Sequence, residues 1–208
     1  MEILIATRSE GKLRELRPLF AAHGFHAIDL ADANVPESAA EDDLEVFDTF
    51  EENALAKARY FYRLTRQPTV ADDSGIAVVA LGGGPGVRSK RWSGRLDLSG
   101  QALDDENNRL LLAKLRDVHG ADERRASYVC AAAFVDESHE VVRRGEVHGH
   151  VIGSPRGASG FGYDPYFFSD ELGMTFGEAS REAKEIVSHR GRAFRALLDA
   201  VAGAAESR

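Results

Sequence analysis

Two adjacent acids, Asp72 and Asp73, open the tetrapeptide "DDSG", which follows the apolar residues of "PTVA". Carboxylate oxygens are the ligands that Mg²⁺ prefers, and the ion usually keeps water and substrate phosphates as its other ligands. Ligands commonly bind at the carboxyl ends of strands in open α/β sheets. Asp, Ser and Gly also favour a plain turn, because they hydrogen-bond or bend locally. The tetrapeptide alone therefore predicts a strand that ends in a turn, with a metal site as the alternative.

A second polar segment, "ATRSEGKLREL", directly follows the apolar "EILI" near the start of the chain. The pattern predicts a strand that passes through a glycine-containing turn into a helix, an arrangement that commonly holds a phosphate. It is not a Walker P-loop, because the "GK" of Gly11 and Lys12 lacks the upstream glycine and the following Ser or Thr. The turn is a candidate phosphate site of another kind.

Glutamates precede and open the strongly predicted helix in "DTFEENALAKARYFYRL". Thr49 and Glu52 match a capping box, so Glu52 needs no metal to explain it. Glu45 lies seven residues before Glu52 and would share its face only if the helix began early. Asn53 and Lys57 are four residues apart and do share a face. That face fits a functional site and an ordinary solvated surface equally well.

Two segments towards the carboxyl end could recognise a base. "SGFGYDP" alternates Phe161 and Tyr163 with glycines, which let the backbone approach a ligand while a ring offers a stacking face. A corner that packs both rings inward is the alternative. Lys184 precedes "SHR" at residues 188–190, where a predicted helix N-terminus presents unpaired N–H groups to an anion or a carbonyl oxygen. Plain helix capping explains the same triplet.

These residues are distributed over a mixed α/β pattern of strands and amphipathic helices. The glycine-rich "LGGGPGVRS" is predicted to be a loop, and the acidic "ADANVPESAAEDDLEVFD" a surface loop. No linker separates independent domains, so residues 1–208 are predicted to form a single domain. The predicted strands cover residues 1–6, 26–30, 126–136 and 140–152, the last two as a hairpin, and residues 68–75 are predicted to be a short strand that ends in the turn at "DDSG". The predicted helices cover residues 13–22, 48–64, 103–118 and the chain from 188 onward.

Composition excludes some classes of function. The 208 residues include 26 basic and 34 acidic side chains, giving a formal net charge of −8, so nonspecific binding of long nucleic acids is not expected. Cys130 is the single cysteine and, within "SYVCAAAFV", is predicted to be a small buried residue. The sequence shows no apolar run of membrane-spanning length and no leader-like start. A cytoplasmic protein is expected.

The segments described above occur together and in a familiar order. The chain resembles the non-canonical purine nucleoside triphosphate pyrophosphatases, also called dITP/XTP pyrophosphatases, over essentially its whole length. The resemblance implies an α/β fold with a long mixed β-sheet, flanking helices and two lobes around a central nucleotide-binding cleft, usually in a homodimer. It also implies Mg²⁺-dependent hydrolysis of XTP, ITP and dITP to monophosphate and pyrophosphate. The motifs that carry it are "ATRSEGKLREL", "TFEENALAKAR", "ADDSGIAVVALGGGPGVRSKRWSG", "GFGYDPYFF" and "REAKEIVSHRGRAFRALL".

The resemblance further implies roles for individual residues. Asp73 is implied to be the catalytic acid and a metal ligand, with Glu45 and Glu52 as the candidates for a second ligand. The chain departs from the family in having Ser9 where Asn is usual, and "EVF" at residues 45–47 where "ETG" is usual. The implied substrate-binding residues are Thr7, Arg8, Ser9, Glu10, Gly11, Lys12, Ser74, Phe161, Gly162, Tyr163, Asp164, Lys184, His189 and Arg190.

Three alternatives remain at the level of sequence. The chain could be a pyrophosphatase for another damaged base, with Ser9 marking the shift. It could be a nucleotide-binding module without catalysis, although a binder has no need of Asp73 together with Glu45, Glu52 and Lys12. An α/β domain without pocket chemistry would require all five motifs to be accidental.

Overall fold

The computed structural model describes residues 1–206 of the chain, and the side chains of residues 1–204. Its strands are β1 (Glu2–Ile5), β2 (His26–Asp29), β3 (Thr69–Val78), β4 (Arg125–Val135), β5 (Glu140–Val151), β6 (Phe167–Ser169) and β7 (Met174–Thr175). Its α-helices are α1 (Glu10–Ala22), α2 (Phe50–Thr65), α3 (Gly100–Lys114), α4 (Arg181–Val187) and α5 (His189–Glu206). Short 3₁₀ helices cover Ala39–Glu41, Val79–Leu81 and Gly86–Arg91.

The seven strands form one mixed sheet in the order β2-β1-β3-β4-β5-β6-β7. Strand β1 pairs in parallel with β2 and β3, whereas β6 pairs antiparallel with β5 and β7. Strands β4 and β5 are neighbours joined by a short turn in which Asp136 accepts the N–H groups of Ser138 and His139 at 2.7 Å. The mixed sheet with flanking helices and the hairpin confirm the predicted α/β class.

Strand β3 contradicts the predicted turn at "DDSG". It runs without a break from Thr69 to Val78, so Asp72 and Asp73 lie in the middle of a strand. Local preference for a turn is overridden because the buried Asp72 carboxylate has cationic partners and because Gly75 leaves room for neighbouring backbone. A Cβ at Gly75 would lie 2.2 Å from the Gly86 carbonyl oxygen. The prediction failed because these partners are remote in sequence.

The chain folds into two compact units. The first comprises residues 1–73, 130–145 and those from His189 onward. Its core packs α1 and α5 with β1, and the rings of Phe20 and Phe194 meet at 5.9 Å between centroids. The predicted buried stripes of α2 and α5 are confirmed, and Cys130 is fully buried as predicted. The two stripes are Phe50, Ala54, Ala58 and Phe61 in α2, and Phe194, Leu197, Leu198 and Val201 in α5.

The second unit comprises residues 74–129 and 146–188. Its core includes three aromatic side chains, and the ring of Tyr128 lies 4.8 Å from that of Phe167 and 5.8 Å from that of Phe176. The periodicity of the sequence does not predict α4, β6 or β7, because seven residues or fewer hold too few repeats of an apolar pattern. Within the described part of the chain, no helix has the length and apolar character needed to cross a membrane.

Candidate active site

Asp72 is the centre of a buried charge cluster in the first unit. Its Oδ2 lies 3.0 Å from Lys12 Nζ and 3.2 Å from Arg190 Nε, and Arg190 also binds Glu15. Burial opposes ionisation of Asp72, but the charges of Lys12 and Arg190 outweigh it and hold the pKa of Asp72 well below its usual value. Asp72 is therefore an anion that fixes the position of the Lys12 ammonium.

The turn before α1 orders its backbone through its own side chains. Ser9 is the N-cap of α1, because its hydroxyl accepts the Lys12 N–H at 3.4 Å, and Thr7 Oγ1 accepts the Ser9 N–H at 3.2 Å. The first N–H groups of a helix lack acceptors within the helix. Ser9 can thus cap the helix in place of the family's usual Asn. Gly11 is half-buried and Glu10 is exposed.

Arg8, in the same turn, stabilises the acidic loop. Its guanidinium pairs with Glu41 at 2.8 Å and donates to the carbonyls of Val35 and Pro36 at 2.9 and 3.0 Å. In this structure the Arg8 side chain therefore binds the acidic loop, whereas the Lys12 side chain binds Asp72.

Asp73 lies on the face of β3 opposite to Asp72, since successive strand residues point to opposite faces. Its Oδ2 accepts a hydrogen bond from Asn53 Nδ2 at 2.8 Å, and the residue is 5% exposed. Burial and the negative charge of Glu45 raise the pKa of Asp73 to about 6, against opposing effects of Lys12 and Lys57. Such a carboxyl can take up or release a proton near neutral pH.

Glu45, rather than Glu52, shares the electrostatic environment of Asp73. Glu45 pairs with Lys57, and although burial disfavours the charge of Lys57, Glu45 and Asp72 raise its pKa. Glu52 is exposed and accepts a hydrogen bond from Thr49 Oγ1 at 2.7 Å, while Thr49 Oγ1 accepts the Glu52 N–H. Thr49 is thus confirmed as the N-cap of α2, but the Glu52 carboxylate accepts from the Thr49 hydroxyl and not from its backbone N–H, so the predicted capping box is formed only in part.

The donor set at Asp73 fits Mg²⁺. Among the described residues there is no group of three or more His, Cys, Asp or Glu side chains that could hold a metal ion. Mg²⁺ needs only one or two carboxylates, because water and substrate phosphates complete its octahedral shell. Asp73 and Glu45 supply two carboxylates whose mutual repulsion a divalent cation would relieve. These two carboxylates are thus of the ligand type that Mg²⁺ prefers, and water and substrate phosphates would have to supply the remaining ligands.

The shared face of Asn53 and Lys57 is buried. Their exposed fractions are 0% and 9%, so the solvated-surface interpretation is wrong. Asn53 bonds to Asp73 and also holds the start of α2 by accepting the Phe47 N–H at 2.9 Å. Both residues lie next to the small residues of the buried α2 stripe, which bring α2 close to the sheet. The burial of Asn53 and Lys57 could have been inferred from the sequence, because both residues adjoin the alanines of the buried α2 stripe.

In the second unit, the glycine-aromatic loop is organised by Asp164. Asp164 Oδ2 accepts the Phe161 N–H at 2.8 Å and lies 2.6 Å from Lys184 Nζ. The Lys184 ammonium is 5.3 Å from the centroids of both Phe161 and Phe176. This side-chain network presents a half-buried Phe161 ring with a cation at its face.

The two aromatic residues of the loop, Tyr163 and Phe161, differ in their burial. The sequence allowed either rings that stack on a base or rings that pack inward. Tyr163 is 5% exposed and donates its hydroxyl to the Ser89 carbonyl at 2.7 Å, and burial raises its pKa. Tyr163 therefore packs inward, as expected for a corner that buries its rings. Phe161 is only half-buried, which leaves the base-stacking interpretation open for this residue.

The remaining predicted residues follow β3 or surround the start of α5. Ser74 directly follows Asp73 and is half-buried. Ser188 donates its N–H to the Lys184 carbonyl at 2.8 Å, which closes α4, while His189 begins α5 and is 3% exposed. The Arg190 guanidinium is placed in the Asp72 cluster. The Arg190 side chain is thus engaged with Asp72 and Glu15, whereas its backbone N–H lies in the first turn of α5.

Comparison with known proteins gives consistent matches over nearly the full chain. A family profile described as the Ham1 family matches residues 3–200. A dITP/XTP pyrophosphatase of Frankia alni is 47% identical and the alignment covers 95% of each chain. A dITP/XTP pyrophosphatase of Mycolicibacterium paratuberculosis is also 47% identical, covering 99% of this chain and 98% of the relative.

Solved structures agree in fold. The Ham1 protein of Staphylococcus aureus aligns with a TM-score of 0.81 at 32% identity, covering 98% of this chain and 99% of that one. A structure described as a nucleoside-triphosphatase and dITP/XTP pyrophosphatase from Mycobacterium abscessus aligns with a TM-score of 0.69 at 44% identity, covering 95% and 99%.

Proposed function

Because this chain belongs to the Ham1 family, we propose that it hydrolyses XTP, ITP and dITP to the monophosphate and pyrophosphate and so removes damaged precursors from the nucleotide pool. The names of its close relatives support the substrate class. The observation that carries the reaction is the Asp73 carboxylate, which is 5% exposed, accepts a hydrogen bond from Asn53 Nδ2 at 2.8 Å and lies in the electrostatic field of Glu45, Lys12 and Lys57. Release of pyrophosphate from ITP or XTP tests the proposal, and release of orthophosphate would contradict it.

The side chains of the first unit fit phosphoryl transfer. Such a reaction needs charge neutralisation and an aligned water more than a covalent nucleophile. Lys12, held by Asp72, supplies a fixed positive charge in the first turn of α1, where helix N–H groups also favour phosphate oxygens. Asp73 accepts the proton of the attacking water or holds the metal, and Asn53 orients its carboxylate. Mg²⁺ bound to Asp73 and Glu45 would neutralise charge on the phosphates.

The choice between Glu45 and Glu52 as the second metal ligand yields a sharp prediction. Glu45→Gln should weaken the apparent affinity for Mg²⁺ at least about 10-fold, since even residues that only support a ligand change metal affinity by that much. Glu52→Gln is the matched control, because Gln also serves in a capping box. Mg²⁺ titration of activity and calorimetric binding of Mn²⁺ give the two readouts. An equal loss of affinity in both variants would contradict the assignment to Glu45.

Phe161 is proposed to stack on the nucleobase. Stacking of a base on an aromatic side chain contributes about 1–3 kcal/mol, so Phe161→Ala should raise KM for ITP about 5- to 150-fold. Phe168→Ala is the matched control in the same unit, because the Phe168 ring packs on His150 at 4.9 Å between centroids. Steady-state kinetics of both variants test the role. An unchanged KM in Phe161→Ala would remove this residue from base recognition.

Preference for keto purines is proposed to come from backbone donors at the start of α5. The backbone N–H groups of His189 and Arg190 lie in the first turn of α5, and the N-terminus of a helix favours ligand atoms that accept hydrogen bonds. They would donate to a keto oxygen, whereas an adenine amine would face them donor to donor. A buried donor left unpaired costs about 1–3 kcal/mol. The Ser188 N–H is already used by the Lys184 carbonyl.

Finer parts of the proposal have two sources. A homodimer and Mg²⁺ as the metal rest on the family resemblance, and a single functional domain over residues 1–208 and a cytoplasmic location rest on the sequence pattern and composition. A binding module without catalysis is disfavoured because it would have no use for two carboxylates held close enough to raise a pKa. Because Ser9 replaces the Asn that is usual in the family, the triphosphate of another damaged base is the second candidate substrate.

A further inference from the structure

Helix α3 holds the backbone of Gly162 from both sides. Asp104 Oδ2 accepts the Gly162 N–H at 2.8 Å, and Asn108 Nδ2 donates to the Gly162 carbonyl at 2.9 Å. The two side chains are four residues apart and therefore leave α3 on one face. Neither residue is among those to which the sequence or the resemblance gives a role. The peptide that they hold directly follows Phe161.

The conformation of Gly162 explains why it needs to be held. Its φ is +63°, in the left-handed region that favours glycine. A Cβ there would meet nothing within 4 Å, so backbone conformation rather than crowding requires glycine. Glycine has access to more conformations than any other residue. Hydrogen bonds to both its N–H and its carbonyl select one of them.

The burial and bonding of Asn108 and Asp104 support a specific role for their contact with Gly162. Asn108 is 5% exposed, and its Oδ1 is buried with no hydrogen-bond partner among the described residues. Unsatisfied polar atoms of this kind are expected where function outweighs stability. Asp104 is half-buried and makes a charge-assisted hydrogen bond, which is stronger than a neutral one.

We propose that Asp104 and Asn108 are positioning residues for base recognition. They fix Gly162 so that the adjoining Phe161 ring is presented to the nucleobase in one orientation. This inference rests on the proposed function. Both residues belong to the unit that carries Phe161, whereas Asp73 and Lys12 belong to the other. The pair therefore governs KM and base preference, and the rate of phosphate cleavage is left nearly unchanged.

The kinetic test uses truncation, a conservative replacement and a neighbouring control. Asp104→Ala and Asn108→Ala should each raise KM for ITP about 10-fold, the effect of losing a hydrogen bond in a well-ordered site, with little change in kcat. Asp104→Asn keeps an acceptor oxygen for the Gly162 N–H and should restore KM to near the wild-type value. Asp105→Ala removes an exposed acid of the same helix, bonded to Gln101, and should leave KM unchanged.

Amide hydrogen exchange at Gly162 tests the clamp independently of activity. Exchange should be slow in the wild type, faster in Asp104→Ala and unchanged in Asp105→Ala, because only Asp104 accepts this N–H. If Asp104→Ala does not fold, KM for ITP is compared in Asn108→Ala and Asp104→Asn instead. Unchanged KM in folded Asp104→Ala and Asn108→Ala, or a fall in kcat at constant KM, would overturn the inference.

Failure of the inference and failure of the proposed function give different results. A folded wild type that hydrolyses none of the nucleotides overturns the proposed function, and the base-recognition role falls with it. An active wild type whose Asp104 and Asn108 variants keep the original KM overturns only the role of this pair.

Discussion

Asp73→Asn should lower kcat for XTP and ITP by about 10²–10⁴-fold, the range that a general acid or base contributes, while the protein remains folded. The reason is the site of Asp73: it is 5% exposed and bonded to Asn53, and its burial together with the negative charge of Glu45 raises its pKa to about 6. Asn has nearly the same size and keeps an acceptor for Asn53. It loses the ability to accept a proton or to ligate a metal as an anion.

The stability of this variant separates a functional loss from a structural one. Burial and Glu45 both oppose ionisation of Asp73 in the folded state, so replacing it by a neutral amide should raise the free energy of unfolding by about 1–3 kcal/mol. Urea unfolding without metal measures this change, and Asp43→Asn, an exposed acid of the acidic loop, is the control. Full activity in Asp73→Asn, or a large loss of stability, would contradict the account.

Asp72→Asn should behave in the opposite way and lower the free energy of unfolding by about 3–5 kcal/mol, the cost of removing one partner of a buried ion pair. The carboxylate is 1% exposed and neutralises both Lys12 and Arg190. Its amide replacement leaves those two cations close together without their shared anion. Lys12 would also lose its anchor, so KM for the triphosphate should rise.

A surface ion pair provides the comparison for this second prediction. Asp29→Asn breaks the pair with the half-exposed Arg17 and should cost at most about 1 kcal/mol. The double variant of Asp72→Asn with Arg190→Gln should lose less stability than the sum of the single losses, because contacting charges couple. Urea unfolding of the four proteins gives the coupling. If Asp72→Asn lowers the free energy of unfolding no more than Asp29→Asn does, the stabilising role of the Asp72 charge cluster is contradicted.

Long periodic elements were predictable from sequence, whereas the residues of the site were predictable only in part. The apolar stripe of α2 and its Thr49 and Glu52 capping pair follow from spacing alone, because helix ends and faces are local properties. The position of Asp72 and Asp73 inside β3 does not, because a local tendency towards a turn gives way to partners that lie far along the chain. Lys12 and Arg190, on either side of Asp72, are separated by nearly the whole sequence.

The same limit explains the other residues that sequence reasoning missed. Asn53 and Lys57 share a face by spacing, but their burial depends on how closely α2 approaches the sheet. The contacts of Asp104 and Asn108 with Gly162 join α3 to a loop more than fifty residues later. The glycines there were predicted to let the backbone approach a ligand, and the fixed conformation of Gly162 depends on hydrogen bonds that no local pattern records.

The most direct test is an assay of pyrophosphate and orthophosphate release from XTP, ITP, GTP and ATP, each with Mg²⁺ and with EDTA. The account predicts pyrophosphate from XTP and ITP only when Mg²⁺ is present. It predicts little product from ATP, since a buried donor left unpaired by the adenine amine costs about 1–3 kcal/mol. The low turnover expected for GTP, whose base has the same keto oxygen, rests on the family resemblance alone. Orthophosphate as the product, activity that survives EDTA, or equal rates with all four nucleotides would contradict the proposed reaction at Asp73.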